Sequence, residues 1–216
     1  MSWRVDRWTK LEGLAQRFGD RLEAPPTSVR TLRQTHGRVV RIADEEAGDD
    51  AAGDGLVTDR PGVMIGIWTA DCVPVHLVAP RARVAAAVHC GWRGSAAGII
   101  PAVLDLLERR WGVKANDAEA GLGPAIGGCC YEVGEEVRGA FVARAGARFG
   151  EVGFATRGGR LFLDLRGFLE EELRGLGLAR VERVGPCTAC RPDLLHSYRK
   201  HGGGAGRQLN WIGWLA

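Results

Sequence analysis

The sequence lacks the features that mark a secreted, membrane-spanning or nucleic-acid-binding chain. No apolar run approaches the ~20 residues that a transmembrane helix needs, and the first residues, MSWRVDRWTKLEG, lack the apolar centre of a secretory signal. The 29 basic and 26 acidic residues leave a formal net charge of only +3, spread along the chain rather than gathered in a block. We therefore expect a cytoplasmic protein with neither a membrane nor a nucleic acid as its partner.

Histidine and cysteine are also few, which narrows the search for a metal or nucleophile site. The 216 residues include five histidines and six cysteines. Without an export signal the cysteines are expected to stay reduced, so each is available for metal binding, thiolate chemistry or simple burial. Any site that uses several histidines must draw on His36, His76, His89, His196 and His201.

The composition predicts a folded chain with its own core. Apolar residues make up 45% of the sequence and charged residues 25%, which is the ordinary balance of a globular protein. A chain of this length buries a sizeable core without disulfides, and no repeat or low-complexity linker divides it. We predict one domain over residues 1–216.

Short apolar runs in the first half of the chain predict the strands of a sheet core. An acidic, glycine-bearing stretch, EEAGDDAAGDG at residues 45–55, interrupts them and predicts a surface loop. The predicted strands are RVVRI at 38–42, VMIGIW at 63–68, VPVHLV at 73–78 and VAAAV at 84–88.

Three later segments have the apolar spacing of helices. The first is predicted to open at the N-cap Ser95 and to run to about residue 110, and the second to run from Val133 behind the turn GPAIGG. The third is predicted to start at the cap Asp164 and to stop at Gly177. Strands followed by alternating helices and strands indicate a mixed α/β fold, although the pattern leaves the topology open.

Two histidines and one cysteine stand at the predicted ends of strands. They are His36 in RQTHG, Cys72 in WTADC and His89 in VHCGWRG. Taken singly, such residues are more often simply buried in the core or exposed on the surface than bound to a metal. Together they form a three-ligand zinc set that leaves a fourth position open, as in catalytic zinc sites. Their spacing matches no local zinc-finger pattern, so the pattern alone supports this site only weakly.

The order of motifs carries a stronger signal. The series QTHG, DGLVTDRPG, TADCVPV, HCGWRG, GPAIGGCCYEV, DLR and CTAC with HSYRK, from about residue 30 to 210, resembles the YfiH/YlmD family of laccase-domain or multicopper polyphenol oxidase proteins. In that family the metal ligands are the histidine of Q-x-H, the cysteine of A-D-C and the histidine of H-x-G-W-R-G. The resemblance therefore implies that His36, Cys72 and His89 form the metal site and take part in catalysis.

The resemblance also implies a fold and an activity. The family fold is a single α/β domain of packed mixed β-sheets with helices covering the outside, shared with a bacterial cytotoxic-factor toxin domain. Family members are purine nucleoside phosphorylases that split adenosine, inosine, guanosine or methylthioadenosine with phosphate, and they also deaminate adenosine. The expected cofactor is Zn²⁺, with copper as a substitute, and the expected oligomeric state is a monomer or a homodimer.

Further residues are candidates for the substrate site, each with a plainer alternative. Asp71, beside Cys72, either orients a ligand or moves a proton, or simply caps the backbone. Arg93 is a candidate phosphate anchor or the partner of a carboxylate at the sheet edge. Tyr131 lies beside glycines that serve either a ligand or a tight turn. Arg199 and Arg207 resemble the closing S-Y-R and G-R elements of the family and are expected to line the nucleoside pocket.

Other functions compete with this interpretation. A multicopper oxidase requires more histidines than five, although a mononuclear copper oxidoreductase remains open because His₂Cys also binds copper. Cys72 paired with His89 would suit a cysteine hydrolase or amidase that acts on peptidoglycan precursors. A metal-storing or partner-binding protein would close the site with a fourth ligand, for which Cys90 is the candidate. Cys187 and Cys190 form a C-x-x-C that suggests redox chemistry or half a zinc site without a partner C-x-x-C.

Overall fold

The computed structural model of the protein describes residues 3–22, 28–43 and 50–216. The strands are β1 (Leu14–Arg17), β2 (Val29–Arg30), β3 (Val40–Ile42), β4 (Gly55–Thr58), β5 (Met64–Thr69), β6 (Val73–Ala79), β7 (Val84–Cys90), β8 (Glu119–Leu122), β9 (Glu132–Val133), β10 (Phe154–Arg157), β11 (Arg160–Leu163), β12 (Arg180–Arg183) and β13 (Gln208–Trp214). The α-helices are α1 (Trp92–Ala96), α2 (Ile99–Trp111), α3 (Glu135–Gly150), α4 (Leu165–Gly175) and α5 (Tyr198–His201).

The largest sheet has six strands in the order β12–β8–β6–β7–β4–β3. Its central strands β8, β6, β7 and β4 pair antiparallel, whereas the outer pairs β12–β8 and β3–β4 are parallel, so the sheet is mixed. Both β6 and β7 are buried along their whole length. Their predominantly apolar composition, in which His76 and His89 are the exceptions, follows from burial on both faces.

A second sheet, in the order β1–β13–β5–β2, packs on one face of the six-stranded sheet. Side chains alternate along β7, so Ala85 and Ala87 face this second sheet while their neighbours in sequence face the opposite layer. The layer between the two sheets also buries Leu56, Ile65, Ile67, Ile212 and Trp214.

Helices α2, α3 and α4 cover the other face of the six-stranded sheet and bury a second apolar layer against it. A small antiparallel sheet, β10–β11–β9, lies beside them. The chain therefore has the mixed α/β architecture of packed mixed sheets and outer helices that was predicted. No helix in the described residues combines the length and apolar character needed to cross a bilayer.

Most predicted elements are confirmed. The strands predicted at 38–42, 63–68, 73–78 and 84–88 are β3, β5, β6 and β7, with ends shifted by at most two residues. Asp164 caps α4 as predicted, since its carboxylate accepts a hydrogen bond from the Gly167 amide at 3.0 Å. Gly177 follows the end of α4 with a φ of 96°. Residues 45–49 of the predicted acidic loop lie outside the described residues, and Gly55 begins β4 instead of ending the loop.

Two helix starts need correction. The helix predicted to open at Ser95 is two helices, because Gly98 has a φ of 84° and this left-handed conformation separates α1 from α2. Ser95 lies inside α1 and is not an N-cap. Val133 belongs to β9 rather than to a helix, and α3 begins at Glu135 after Gly134.

Candidate metal centre and its cavity

The structure brings His36, Cys72 and His89 together. His36 lies in the loop between β2 and β3, Cys72 in the turn between β5 and β6, and His89 near the end of β7. Their ligand atoms all lie within 4.8 Å of one another, and the two imidazole rings meet edge to face with centroids 4.8 Å apart. Three segments that are distant in sequence thus converge because the ends of β5 and β7 and the start of β6 lie at the same edge of the molecule.

Asp54, which was not among the residues predicted from the sequence, connects the two histidines. Its side chain is fully buried and accepts hydrogen bonds from the backbone amides of Thr35, His36 and Gly37 at 3.2, 2.9 and 2.8 Å. One carboxylate oxygen also lies 2.8 Å from Nδ1 of His89. This contact leaves Nε2 of His89 for a metal, which is the arrangement in which a carboxylate orients a metal-binding histidine. The available signal was its place in the motif DGLVTDRPG.

Charge in the cluster favours a thiolate next to histidine. Burial raises the pKa of Cys72, but hydrogen bonds from His36 and His89 outweigh it and lower the pKa to about 6. Burial lowers the pKa of His89, whereas Asp54 and Cys72 raise it to about 9. Burial likewise raises the pKa of Asp54, but His89 and the Gly37 amide lower it to about 2. The thiolate of Cys72 therefore pairs with a protonated His89, and a metal ion bound at Nε2 of His89 would displace that proton.

Close backbone approach makes the cluster sterically possible. A Cβ on Gly91 would lie 3.1 Å from both Sγ of Cys72 and Cδ2 of His36. A Cβ on Gly94 would lie 2.5 Å from the carbonyl oxygen of Gly37. The glycines of HCGWRG therefore let α1 pack against the loop that carries His36. That residue itself has a φ of 58°, an uncommon conformation of the kind that is held at functional sites.

The donor set fits zinc. Two imidazoles and one thiolate are ordinary zinc ligands, and three protein ligands leave a fourth position for water or substrate. Gln34 holds the His36 loop in place, since its side chain exchanges two hydrogen bonds of 2.8 Å with the backbone of Trp68. Cys90, the sequence candidate for a fourth ligand, is instead buried in the layer beneath the helices and, among the residues that the structure describes, belongs to no donor cluster.

The cluster lies in a cavity of about 490 Å³. Small-molecule sites commonly occupy roughly 300–1,000 Å³. Aromatic side chains line this cavity together with three arginines. Besides the metal-ligand residues and Asp71, the lining includes Gln34, Trp68, Trp92, Arg93, Tyr131, Tyr198, Arg199 and Arg207. The structure thus places all eight sequence-predicted site residues around one cavity.

The three arginines differ in what they already bind. Arg199 donates to the carbonyl oxygens of Cys130 at 3.4 Å and Glu132 at 3.0 Å, which ties it to the loop before α3. Arg93 lies within α1 and not just ahead of a helix that opens at Ser95, and its guanidinium stacks over Trp92 at 4.4 Å. Within the described ranges, neither Arg93 nor Arg207 forms an ion pair, so the alternative of a carboxylate partner for Arg93 finds no support there.

Asp71 is occupied by protein donors. One carboxylate oxygen accepts a 2.5 Å hydrogen bond from the Thr188 hydroxyl and the other a 2.6 Å bond from the backbone amide of Arg199. Its φ of 89° is held in the turn before Cys72. These contacts favour a structural role over a role in proton transfer. Asp71 fastens Thr188 and Arg199 to the turn that carries Cys72.

A mixed α/β fold with a His₂Cys cluster at the floor of a cavity defines the chain as a candidate mononuclear metal protein. Comparison with known proteins specifies the family. The family model described as multi-copper polyphenol oxidoreductase laccase matches residues 4–215, and the chain belongs to that family. The resemblance to YfiH and YlmD proteins that the motifs indicated is thereby confirmed.

Relatives of known sequence and structure agree with this assignment. The chain is 31% identical over 182 residues to "Purine nucleoside phosphorylase CA_C1699" of Clostridium acetobutylicum, covering 84% of this chain and 75% of that protein. It is 35% identical over 162 residues to "Purine nucleoside phosphorylase YlmD" of Geobacillus stearothermophilus, covering 74% of this chain and 59% of the relative. The crystal structure of hypothetical protein YfiH from Bacillus licheniformis superposes with a TM-score of 0.80 at 30% identity, covering 87% and 74% of the two chains.

Proposed function

We propose that the protein is a zinc-dependent purine nucleoside phosphorylase, which cleaves a nucleoside with phosphate into the free base and a sugar 1-phosphate. The observation that carries the proposal is the cavity itself, in which a His₂Cys cluster, aromatic side chains and arginines face one space. The names of the relatives from Clostridium and Geobacillus support the same activity. Cleavage of adenosine, inosine, guanosine and methylthioadenosine, a second activity of adenosine deamination and a cytoplasmic location belong to the proposal.

The aromatic lining suits a purine. Trp68, Trp92 and Tyr131 offer flat apolar faces for a heterocyclic base, and stacking on an aromatic ring stabilises a base by roughly 1–3 kcal/mol. Burial and the nearby charge of Cys72 raise the pKa of Tyr131 to about 12, so its hydroxyl stays protonated and able to donate a hydrogen bond. A nucleoside bound here would lie with its sugar near the cluster.

The arginines suit phosphate. Arg93 and Arg207 hold exposed guanidinium groups at the cavity, and such groups bind phosphate oxygens in pairs. In phosphorolysis a phosphate oxygen forms a bond to the anomeric carbon, the glycosidic bond to the purine nitrogen breaks, and the bond electrons leave with the base. Arg93 and Arg207 would orient the phosphate for this attack.

When bound, zinc supplies a Lewis acid with an open position at the cavity floor. His36, Cys72 and His89 would hold it, and Asp54 would keep His89 in the orientation that presents Nε2. The family name mentions several copper ions, each of which would need histidine ligands, but three of the five histidines (His76, His196 and His201) lie outside the cluster. The histidines therefore do not form a multicopper centre, and we propose zinc as the native ion. Copper remains a substitute for the same donors.

The test incubates the zinc-loaded protein with adenosine, with and without phosphate, and separates the products by chromatography. Adenine and ribose 1-phosphate formed only with phosphate would support the proposal, while inosine would reveal deamination. Arg93→Gln and Arg207→Gln should each raise the KM for phosphate at least several-fold, whereas Arg109→Gln, an exposed arginine of α2 outside the cavity, should not. No turnover of any purine nucleoside would overturn the proposal.

A second candidate, a thiol hydrolase, is favoured by one observation. Cys72, His89 and Asp54 form a thiolate–imidazole–carboxylate series, and the pKa of about 6 for Cys72 suits a nucleophile. His36 argues against it, since a hydrolase needs no second imidazole at the sulfur. If metal-free protein retains hydrolytic activity on amide substrates and alkylation of Cys72 abolishes it, the hydrolase replaces the phosphorylase.

A further inference from the structure

Four cysteines form a second cluster behind the cavity wall. The sequence contains no second C-x-x-C to pair with Cys187 and Cys190, but the structure supplies a partner in the adjacent pair Cys129 and Cys130. All four sulfur atoms lie within 4.8 Å of one another. Sγ of Cys190 is 3.6 Å from that of Cys129 and 3.4 Å from that of Cys130.

We propose that Cys129, Cys130, Cys187 and Cys190 bind a structural zinc ion, separate from the metal at the cavity floor. Four thiolates are a common structural zinc set, and sulfurs about 2.3 Å from a tetrahedral ion lie about 3.8 Å apart, close to the separations here. A disulfide would need about 2.05 Å, and all four cysteines are free thiols, available as ligands. The proposal is independent of the nucleoside chemistry.

The backbone is already arranged for such an ion. A parallel bridge joins Ala125 to Cys187, and the Gly127 amide donates a 3.2 Å hydrogen bond to Sγ of Cys187, a contact that stabilises a thiolate. A Cβ on Gly127 would lie 3.3 Å from Sγ of Cys129, so glycine leaves room for the cluster to close. Cys129 and Cys190 are exposed, which provides a path for the ion to enter.

A half-buried cation lies near the cluster. Four thiolates and one zinc ion carry a net charge of −2, which needs compensation in a partly buried site. Arg166 lies within electrostatic range of Cys187 and Cys129, so its charge offsets part of this excess and favours the metal-bound form. Arg157 donates a hydrogen bond to the carbonyl oxygen of Gly128, which holds the backbone next to Cys129.

The ion would fasten two loops that support the cavity. Thr188, inside the C-x-x-C, donates to Asp71, and Arg199 donates to the carbonyl oxygen of Cys130. Tyr131 follows Cys130 directly in the cavity wall. A zinc ion here would therefore set the distance between the loop that carries Tyr131 and the segment of Thr188, which anchors the turn that carries Cys72.

The test counts zinc by elemental analysis in purified variants. The wild-type protein should hold two zinc ions per chain, Cys72→Ala one, and the double variant Cys129→Ser/Cys190→Ser one. Cys90→Ala, which removes a cysteine that belongs to neither cluster, should retain two. Equal zinc in the wild-type protein and the double variant would overturn the proposal, whereas failure of the nucleoside assay would leave these counts unchanged.

Thiol reactivity provides a second measurement that needs no cysteine variant. In wild-type protein loaded with zinc, alkylation followed by peptide mass spectrometry should label Cys129 and Cys190 at least tenfold more slowly than after chelation, despite their exposure. Equal rates with and without zinc, or a disulfide within the cluster of protein kept in reducing buffer, would overturn the proposal in favour of free or redox-active thiols.

Discussion

At the scale of single residues, Asp54 joins the two segments that supply histidines. Its carboxylate binds three successive backbone amides around His36 and the ring of His89. It touches no cavity space itself, so it acts as a positioning residue. An aspartate in a DG pair reads from sequence as a turn, and only the folded chain shows that its side chain points inward.

We expect Asp54→Asn to weaken zinc binding about 10–100-fold, which is the usual cost of losing a carboxylate behind a metal-binding histidine. The amide keeps one acceptor oxygen but presents an NH₂ group to backbone amides that themselves donate. Competition with a chelator measures the affinity. Asp59→Asn is the matched control, because Asp59 is exposed and its contact to Nε1 of Trp111 survives as an amide oxygen. Unchanged zinc affinity in Asp54→Asn would contradict the positioning role.

His76 is a buried histidine outside the site. It faces the layer between the two sheets, where its ring stacks on Phe18 with centroids 4.3 Å apart. Burial lowers its pKa to about 3. Below the ordinary histidine pKa of about 6.5, the imidazole of His76 therefore binds a proton in the unfolded chain but not in the folded chain. The free energy of unfolding consequently falls as the pH drops from about 6.5 towards 3, and this group does not change it above pH 6.5.

Replacing His76 with leucine should make the protein less sensitive to acid. Between pH 7 and pH 5 the wild-type free energy of unfolding should fall by about 2 kcal/mol more than that of His76→Leu, from the proton-binding linkage of one such group. Urea unfolding at the two pH values measures both differences, and other titrating groups cancel between the chains. Equal losses in the two proteins would show that His76 does not titrate as its burial implies.

At the scale of elements, the turn from β7 into α1 decides whether the ligands meet. Gly91 has an ordinary negative φ of −78°, so its importance is steric and not conformational. The added methyl of an alanine would press on the sulfur of Cys72 and the ring of His36. A sequence pattern shows the glycine but not the atoms it leaves room for.

We expect Gly91→Ala to reduce both zinc affinity and nucleoside cleavage by at least tenfold, since the ligands would have to move by a few tenths of an ångström. Zinc titration and the product assay measure the two effects. Gly139→Ala is the control, because its Cβ meets nothing within 4 Å on the exposed face of α3. That control should gain about 0.5–1 kcal/mol from helix propensity and keep its zinc. Normal zinc binding in Gly91→Ala would refute the steric account.

The elements show where sequence reasoning succeeds. Strands β6 and β7 are predominantly apolar and were predicted, whereas the two apolar residues of β4 lie between Gly55 and Thr58, so that segment resembles a loop. Strand β13 carries Gln208 and Asn210 among its buried residues, which hides it from a hydrophobicity pattern. The candidate metal ligands were predicted through the resemblance of motifs, while the four-cysteine cluster depends on a bridge between Ala125 and Cys187 that no local pattern encodes.

At the scale of the whole molecule, the site lies at the edge of two apolar layers that do not depend on it. One layer lies between the two large sheets and the other between the six-stranded sheet and the helices. The residues of the metal cluster contribute polar contacts at the margin of both. The fold should therefore survive loss of the metal at the cavity floor.

His36→Ala and Cys72→Ala should abolish zinc binding at the cavity floor and nucleoside cleavage, while the circular dichroism spectrum stays native and the melting temperature changes by only a few degrees. For His89 the suitable variant is His89→Asn, because a side-chain amide still donates to the buried Asp54 and avoids leaving that carboxylate without a partner. Full cleavage activity in all three variants would remove these residues from the active site.

Strand β13 has a consequence for how the protein is made. It is the last of the described strands along the chain, yet it lies inside its sheet, between β1 and β5. Its residue Gln208 pairs with Thr69, which lies far earlier in the sequence. While the chain is still being synthesised and β13 is absent, β5 therefore has an unpaired edge, and unpaired edges can pair with strands of other chains. The segment that carries β13 must leave the ribosome before the sheet can close, so β5 depends on protection until then.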